Sequence, residues 1–529
     1  MDNSRKYSRF VIYLIVISTI IRGVLAWVLE LGNDEVYYRL YAAYPDWSHF
    51  DHPLMVGLVM QITSINLLFQ SEFFLRLGSV IIGAINLWLI FKIGQRIKNP
   101  QVGYYASLLY AASIYSTIIT GVFILPDSPQ SLFWIWAIYL MIKTIPESPN
   151  KINSGTNMMK IGIIIGLGIL SKYTTVFLWF GIAIYILAYN RDWLKSRWLY
   201  ISILTTIIIT LPIIIWNLQN DFISLSFHSE RVDMIGFSVN PSYFLTEIGG
   251  EILYNNPVNF VIIILSIVAV TRGKLSLDQK YSRIILLSGL PMIIIFLVFS
   301  LFRSILPHWT SPGYISMIPL AAVYIAQHRS KEKRGMPAVI ISALLLILVV
   351  ILLGLAQINY GLFEPNQTDE YHRIGKDDPS LDMYGYKQTG EAFGQIAERD
   401  INLELMSENS IMIGTNWYPL ANYDYYVASP SGMKSFGIGE LNKIHKYAWI
   451  NNKQGGFYKG MDAYYLTDSR EYHKPDHILY GYFENVIPAD TIQIYRNGNV
   501  AKRVFVFRLK NLQTIPEDVL SITNKNANN

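Results

Sequence analysis

The residues of this chain best suited to chemistry crowd one stretch. Asp34, Glu35, Asp46, Asp51 and His52 lie among aromatics in NDEVYYRLYAAYPDWSHFDHP, residues 33–53. A further acid, Asp127, stands in GVFILPDSPQ. Two carboxylates near one site suit a transfer reaction. One can act as general base on an acceptor hydroxyl, and the other can orient it or bind a metal. Each acid also has a plain structural reading. Asp34 and Glu35 directly follow an apolar run and can cap a helix there, while Asp-Ser-Pro is a good helix start that would make Asp127 an N-cap.

Cations that could accompany these acids are few. Lys172 in GLGILSKYTT ends a short apolar run, where a lysine can also snorkel to the interface. His228 and Arg231 form an H-x-x-R in SFHSERV, and Arg303 and His308 flank a turn in FRSILPHW. Each has a structural explanation taken singly. As a set beside carboxylates at a membrane surface, they have the means to grip a lipid phosphate. The absence of cysteine rules out disulfides, thiolate metal sites and cysteine nucleophiles.

The elements that must position these residues are apolar. The chain has 529 residues, 52% hydrophobic and 15% charged, against about 25% charge in a soluble domain. Apolar runs recur at 10–29, 73–92, 101–120, 130–145, 161–173, 175–190, 198–216, 257–271, 283–302, 311–327 and 337–357. They predict a mainly α polytopic membrane protein of about eleven spans. The first run lacks a small-residue cleavage site and reads as a retained span. Lys and Arg gather around residues 5–9, 92–98, 143–160, 191–197, 272–283 and 329–334. All six clusters fall on one side of an eleven-span topology, which the positive-inside rule makes cytoplasmic. The formal charge of +5 is therefore a matter of topology, and no nucleic-acid partner is implied. The amino terminus is expected inside, and the acid-rich stretch and carboxyl tail outside, in a plasma membrane.

Within the first external loop, Glu35 to Tyr44 predicts a short helix with Tyr37, Tyr38, Tyr41 and Tyr44 along one side, ended by Pro45. Tyr37 and Tyr38 are candidates for positioning substrate. Residues 54–69 are apolar but too short to cross easily, and read as a second helix along the interface. Composition turns polar after about residue 358, so the expected domains are 1–357, in the membrane, and 358–529, a small external α/β domain. Strands are predicted at 411–415, 425–428, 463–467 and 503–509, a helix at 390–400, a loop at 385–390, and disorder over the last dozen residues.

The order of apolar span, NDE-VYY, FDHP, LPDSP, GLGILSKYT, IWN, LPHW and external tail resembles the family 39 and 83 glycosyltransferases. These GT-C-fold enzymes include protein O-mannosyltransferases and lipid A aminoarabinose transferases. The resemblance covers about residues 8–330; the tail matches in placement alone. It implies transfer of a sugar, with inversion, from a polyprenyl-phosphate donor to a lipid, glycan or protein acceptor. Asp34 then takes the place of the catalytic base, Glu35 its acidic neighbour, and Asp127 the second external aspartate. Lys172, Arg231, Arg303 and His308 would attend the donor phosphate. FDHP resembles an FEKP-like element, with Asp51 for the glutamate and His52 for the phosphate-binding lysine; a neutral histidine is the poorer phosphate partner. Asp51 with His228 would suit zinc, magnesium or manganese, although two ligands do not define a site.

Two rival classes are a transporter or flippase of lipid-linked glycans and a non-catalytic scaffold. The chain shows no inverted repeat and keeps its acids mainly in loops, whereas transporters place ionisable residues mid-span. A scaffold has no need of Asp34 and Asp127 on one face.

Overall fold

The computed structural model describes residues 3–232, 238–329, 335–363, 371–475, 479 and 481–521. In chain order its helices begin with α1 (Asn3–Val28), α2 (Asn33–Ala43), α3 (Met55–Thr63), α4 (Glu72–Ile97), α5 (Pro100–Ala112), α6 (Asp127–Thr144), α7 (Ser154–Ile169) and α8 (Phe177–Tyr189). There follow α9 (Arg197–Gln219), α10 (Ile223–Val232), α11 (Pro241–Tyr254), α12 (Pro257–Thr271), α13 (Gln279–Ser300), α14 (Ser311–His328) and α15 (Ala338–Tyr360). The C-terminal part holds α16 (Tyr386–Asn402) and α17 (Trp417–Tyr423), with strands β1 (Ile411–Gly414), β2 (Ser435–Gly437), β3 (Ala463–Asp468), β4 (Phe483–Arg496) and β5 (Asn499–Leu512).

Each apolar run read from the sequence centres on a helix, and the chain is a mainly α, multi-pass membrane protein. By length and hydropathy, α1, α4, α9, α13 and α15 can each cross a membrane alone, while α11 and α12 meet at a bend of 101°. The shorter helices reach their length with added turns. After α5 the chain continues as a π-helical turn, Tyr115–Ile119, and a 3-10 turn, Tyr173–Val176, leads into α8. Small residues let these helices approach, as expected where lipid removes the hydrophobic drive between them. A Cβ on Gly103 would stand 2.4 Å from the Phe91 carbonyl oxygen, and one on Gly162 would stand 2.2 Å from that of Ser202. Ser202 and Thr206 on α9 then donate to the Met158 and Gly162 carbonyls of α7, at 2.6 and 2.8 Å.

The chain forms two compact units, one of Met1–Val28 with Pro45–Val350, the other of Leu29–Tyr44 with Ile351–Asn529. The division falls inside α15, and α2 belongs with the C-terminal residues. There it is built in by several contacts. The Tyr37 ring lies 5.0 Å from Trp417 and 5.8 Å from His445, Asn422 donates to the Asn33 side chain at 2.7 Å, and Arg39 pairs with Asp424 at 3.8 Å.

The sheet of this second unit runs β2-β1-β3-β5-β4, with β1 parallel to both neighbours and the rest antiparallel. Three of the four predicted strands are present. The fourth, 425–428, is a π-helical turn over Asp424–Ala428. Its aromatic content suits a strand, but β preference yields to context. Here Tyr426 stacks on Tyr386 of α16, and its hydroxyl accepts from the Leu31 amide at 2.6 Å. The predicted loop 385–390 is instead the start of α16, with Gly385 before it in the left-handed region at φ 88°. Of the tail expected to be disordered, 522–529 lie outside the described residues.

Asp400 anchors this unit. Fully buried, it accepts from Arg508 at 2.6 and 2.8 Å and from the Tyr464 hydroxyl at 3.1 Å. Asp400→Ala strands the Arg508 charge and is expected to cost about 3–5 kcal/mol, measured by thermal unfolding; an unchanged midpoint contradicts the anchoring role.

Candidate active site

Within the first unit, Asp127 opens α6, and its carboxylate turns away from the helix backbone. Lys172 donates to both its oxygens, at 3.0 and 2.8 Å, and the Tyr115 hydroxyl donates to one at 2.9 Å. The N-cap reading of this acid is thus not the one adopted; Asp127 is the first helical residue and makes no side-chain cap. Three local features set up the arrangement. The π-turn after α5 presents Tyr115, and such turns recur at functional sites. Gln130, one turn along α6, ties that helix to Thr174 and Thr175 at 2.7 and 3.2 Å. Gly168 lets Thr175 close in, since a Cβ there would be 2.5 Å from the Thr175 methyl. Lys172 is fixed in the turn between Gly168 and Thr175.

Lys172 and Asp127 are both almost fully buried. Leaving water is costly for each charge, and the pair is tolerated because both are matched. An ammonium has three N–H donors. Two go to Asp127, so one remains for an anion. The Trp309 ring, its centroid 5.9 Å from Nζ, adds a favourable aromatic face.

Around this pair the structure gathers Asp51, His52, His228 and His308. His228 Nε2 is hydrogen-bonded to the Asp51 main-chain oxygen at 2.8 Å. Its ring meets that of Tyr173, next to Lys172, at 5.2 Å, and that of His52 at 6.3 Å. Burial pushes the His52 pKa down to about 3, against the opposing pull of Asp51, and that of His308 to about 4, against Asp127. Both imidazoles are neutral at pH 7, so each carries a single N–H donor and no charge.

A linkage effect follows. The unfolded chain takes up a proton at each histidine near pH 6.5, and the folded chain does not until about pH 3 or 4. Stability is therefore full above pH 6.5 and lost as pH falls toward 4, by about 1–2 kcal/mol per group at pH 5. Melting curves across this range should show the loss, and His52→Gln with His308→Gln should flatten it; an equal acid slope in the double variant refutes the assignment.

Not every predicted residue joins this cluster. Arg303 follows α13, four residues before the 3-10 turn Pro307–Thr310. The Arg231 side chain lies outside the described residues. Asp34, Glu35, Tyr37 and Tyr38 belong to the other unit. There Asp34 is exposed in the first turn of α2, Glu35 is spent on the helix start, accepting from the Gly32 amide at 2.9 Å, and Tyr37 and Tyr38 are buried. No group of three or more His, Asp or Glu able to hold a metal occurs among the described residues. Asp51 and His228 fit a metal only if substrate or solvent supplies the remaining ligands. Sequence reasoning missed Tyr115, hidden inside a predicted span, and Gln130; Trp309 was in view in LPHW, with no role attached.

Residues 51–216 match the family described as dolichyl-phosphate-mannose-protein mannosyltransferase, a range that contains Asp51, His52, Asp127 and Lys172. ArnT from Cupriavidus metallidurans, solved bound to undecaprenyl phosphate, superposes with a TM-score of 0.61 at 15% identity, covering 94% of this chain and 97% of that one. The chain has the GT-C fold. The apo state of the same ArnT agrees, at a TM-score of 0.58 and 14% identity over 94% of this chain and 98% of that one. No curated protein sequence matches the chain. The GT-C fold and the family match bear out the resemblance to the family 39 and 83 glycosyltransferases read from the motif order.

Proposed function

We propose that this chain is an inverting glycosyltransferase that moves a sugar from a polyprenyl-phosphate donor to an acceptor hydroxyl at the outer face of the plasma membrane. The observation that carries this reading is the buried Lys172 ammonium, held by both Asp127 oxygens with one donor left over, in a chain of GT-C fold. A phosphate is the anion that such a donor suits, and ArnT, of the same fold, was solved with undecaprenyl phosphate.

In this mechanism Asp34 takes the proton of the acceptor hydroxyl. The acceptor oxygen attacks the anomeric carbon from the face opposite the phosphate, and the carbon–oxygen bond to the phosphate breaks with inversion. The polyprenyl phosphate leaves with the bonding electron pair, and Lys172 stabilises the charge that develops on it. Asp127 pairs with Lys172 and aims it, and Tyr115 holds Asp127. His52 contributes a neutral N–H, and His308 and Trp309 form the wall beside Lys172. Arg231 and Arg303 are further candidates for the donor phosphate, from their place in the motif order. No step is routed through a metal; if one binds at Asp51 and His228, it would add positive charge for the leaving phosphate.

The test supplies purified protein with a panel of polyprenyl-phosphate sugars and lipid, glycan and protein acceptors, and follows released polyprenyl phosphate by mass spectrometry. Release that depends on an acceptor is the expected result. No release from any donor overturns the enzymatic reading in favour of a transporter or scaffold.

A further inference from the structure

α11 turns its acids inward. Only two of its residues are buried, and both are carboxylates, Glu247 at 0% and Glu251 at 1% exposure. Its exposed positions carry Tyr243, Leu245 and Leu253. Apolar residues outward suit a helix in lipid, and ionisable residues turned into a membrane protein mark functional-site candidates. The two acids are four residues apart, one helical turn, and so share a face.

Their polar demand is only partly met among the described residues. Both Glu247 oxygens and Glu251 Oε1 are buried with no hydrogen-bond partner, and no cationic side chain among the described residues pairs with either acid. Glu251 Oε2 accepts from the Tyr314 hydroxyl at 2.8 Å, and the Thr310 hydroxyl also faces Glu251. Next to Thr310, the Ser311 hydroxyl is buried and unpartnered too. Two like charges cannot both be held in such a place without a counter-charge.

We infer that Glu247 and Glu251, with the hydroxyls of Tyr314 and Thr310, form a binding site for one hard divalent cation. The donors are all oxygen, which selects magnesium, manganese or calcium over zinc. A charge of +2 matches two carboxylates. The site is separate from Asp51 and His228. It lies under the turn Pro307–Thr310, because Gly250 lets that turn press against α11; a Cβ there would stand 2.2 Å from Pro307. The same turn carries His308 and Trp309 to the Asp127–Lys172 pair. The cation therefore fixes the underside of the wall whose other face meets Lys172.

The test is manganese chloride binding to the full chain in detergent, followed by Mn2+ electron paramagnetic resonance and by thermal unfolding against an EDTA control. Neither readout needs a donor or transfer activity. Wild type should gain about 5 °C at saturating Mn2+, and magnesium should compete. The E247Q/E251Q double variant should lose one bound Mn2+ and the stabilisation, while melting in EDTA no lower than wild type. Asp51→Asn should keep both. Equal Mn2+ stoichiometry in wild type and E247Q/E251Q overturns the inference. So does a wild type that ignores Mn2+ and instead melts higher at lower pH only when both glutamates are present, which would mean a shared proton.

Discussion

Lys172→Met is expected to destabilise the fold by about 3–5 kcal/mol, because it leaves the Asp127 carboxylate buried with its cation gone. Tyr115 alone cannot replace it: one hydroxyl supplies one hydrogen bond and no charge. Adding Asp127→Asn removes the stranded anion, so the double variant should recover most of the lost stability. It should not recover transfer, since no ammonium remains for the leaving phosphate. Thermal unfolding in detergent and a transfer assay on the same preparations separate the two effects. If Lys172→Met melts like wild type, the pair is not the buried unit described. If the double variant transfers sugar normally, Lys172 has no role at the phosphate.

Asp34→Asn is expected to do the opposite, lowering turnover by about 10²–10⁴-fold with little change in stability. The side chain is exposed at the start of α2, and the change to a carboxamide keeps its size and shape. Binding of the polyprenyl-phosphate donor should be unaffected, so the loss belongs to turnover. Glu35→Gln is the matched control. Glu35 accepts from the Gly32 amide, and losing that charge should loosen the helix start while sparing the chemistry. Unchanged turnover in Asp34→Asn would sink the base assignment.

The membrane helices were legible in the sequence because apolar length and cationic clustering are local signals, readable run by run. Lys172 was legible by rarity, as a cation at the end of an apolar run. What it binds was not. Its partner lies 45 residues away, and nothing in LPDSP distinguishes a cap from a counter-ion. Tyr115 was hidden for a related reason. Inside an apolar run its hydroxyl looks incidental, and the π-turn that aims it arises from packing and has no composition of its own. The turn at 425–428 failed in the other direction, since Tyr and Val favour strands until Tyr386 and Leu31 claim Tyr426. Nothing in the sequence singles out Glu247 and Glu251, because burial is a property of the folded helix.

The place of α2 in the second unit has a consequence in time. The Leu31 amide meets Tyr426 across 395 residues, and the Tyr44 hydroxyl meets Gln454 across 410. At about 5–20 residues per second, α2 leaves the ribosome roughly 20–80 s before its partners exist. For that interval Tyr37, Tyr38 and Tyr41 have no aromatic cluster from Trp417 and His445 to enter. A chain halted before residue 351 never completes it. Whatever shelters those tyrosines while synthesis catches up, be it the bilayer surface or a chaperone, is part of how this protein reaches its fold.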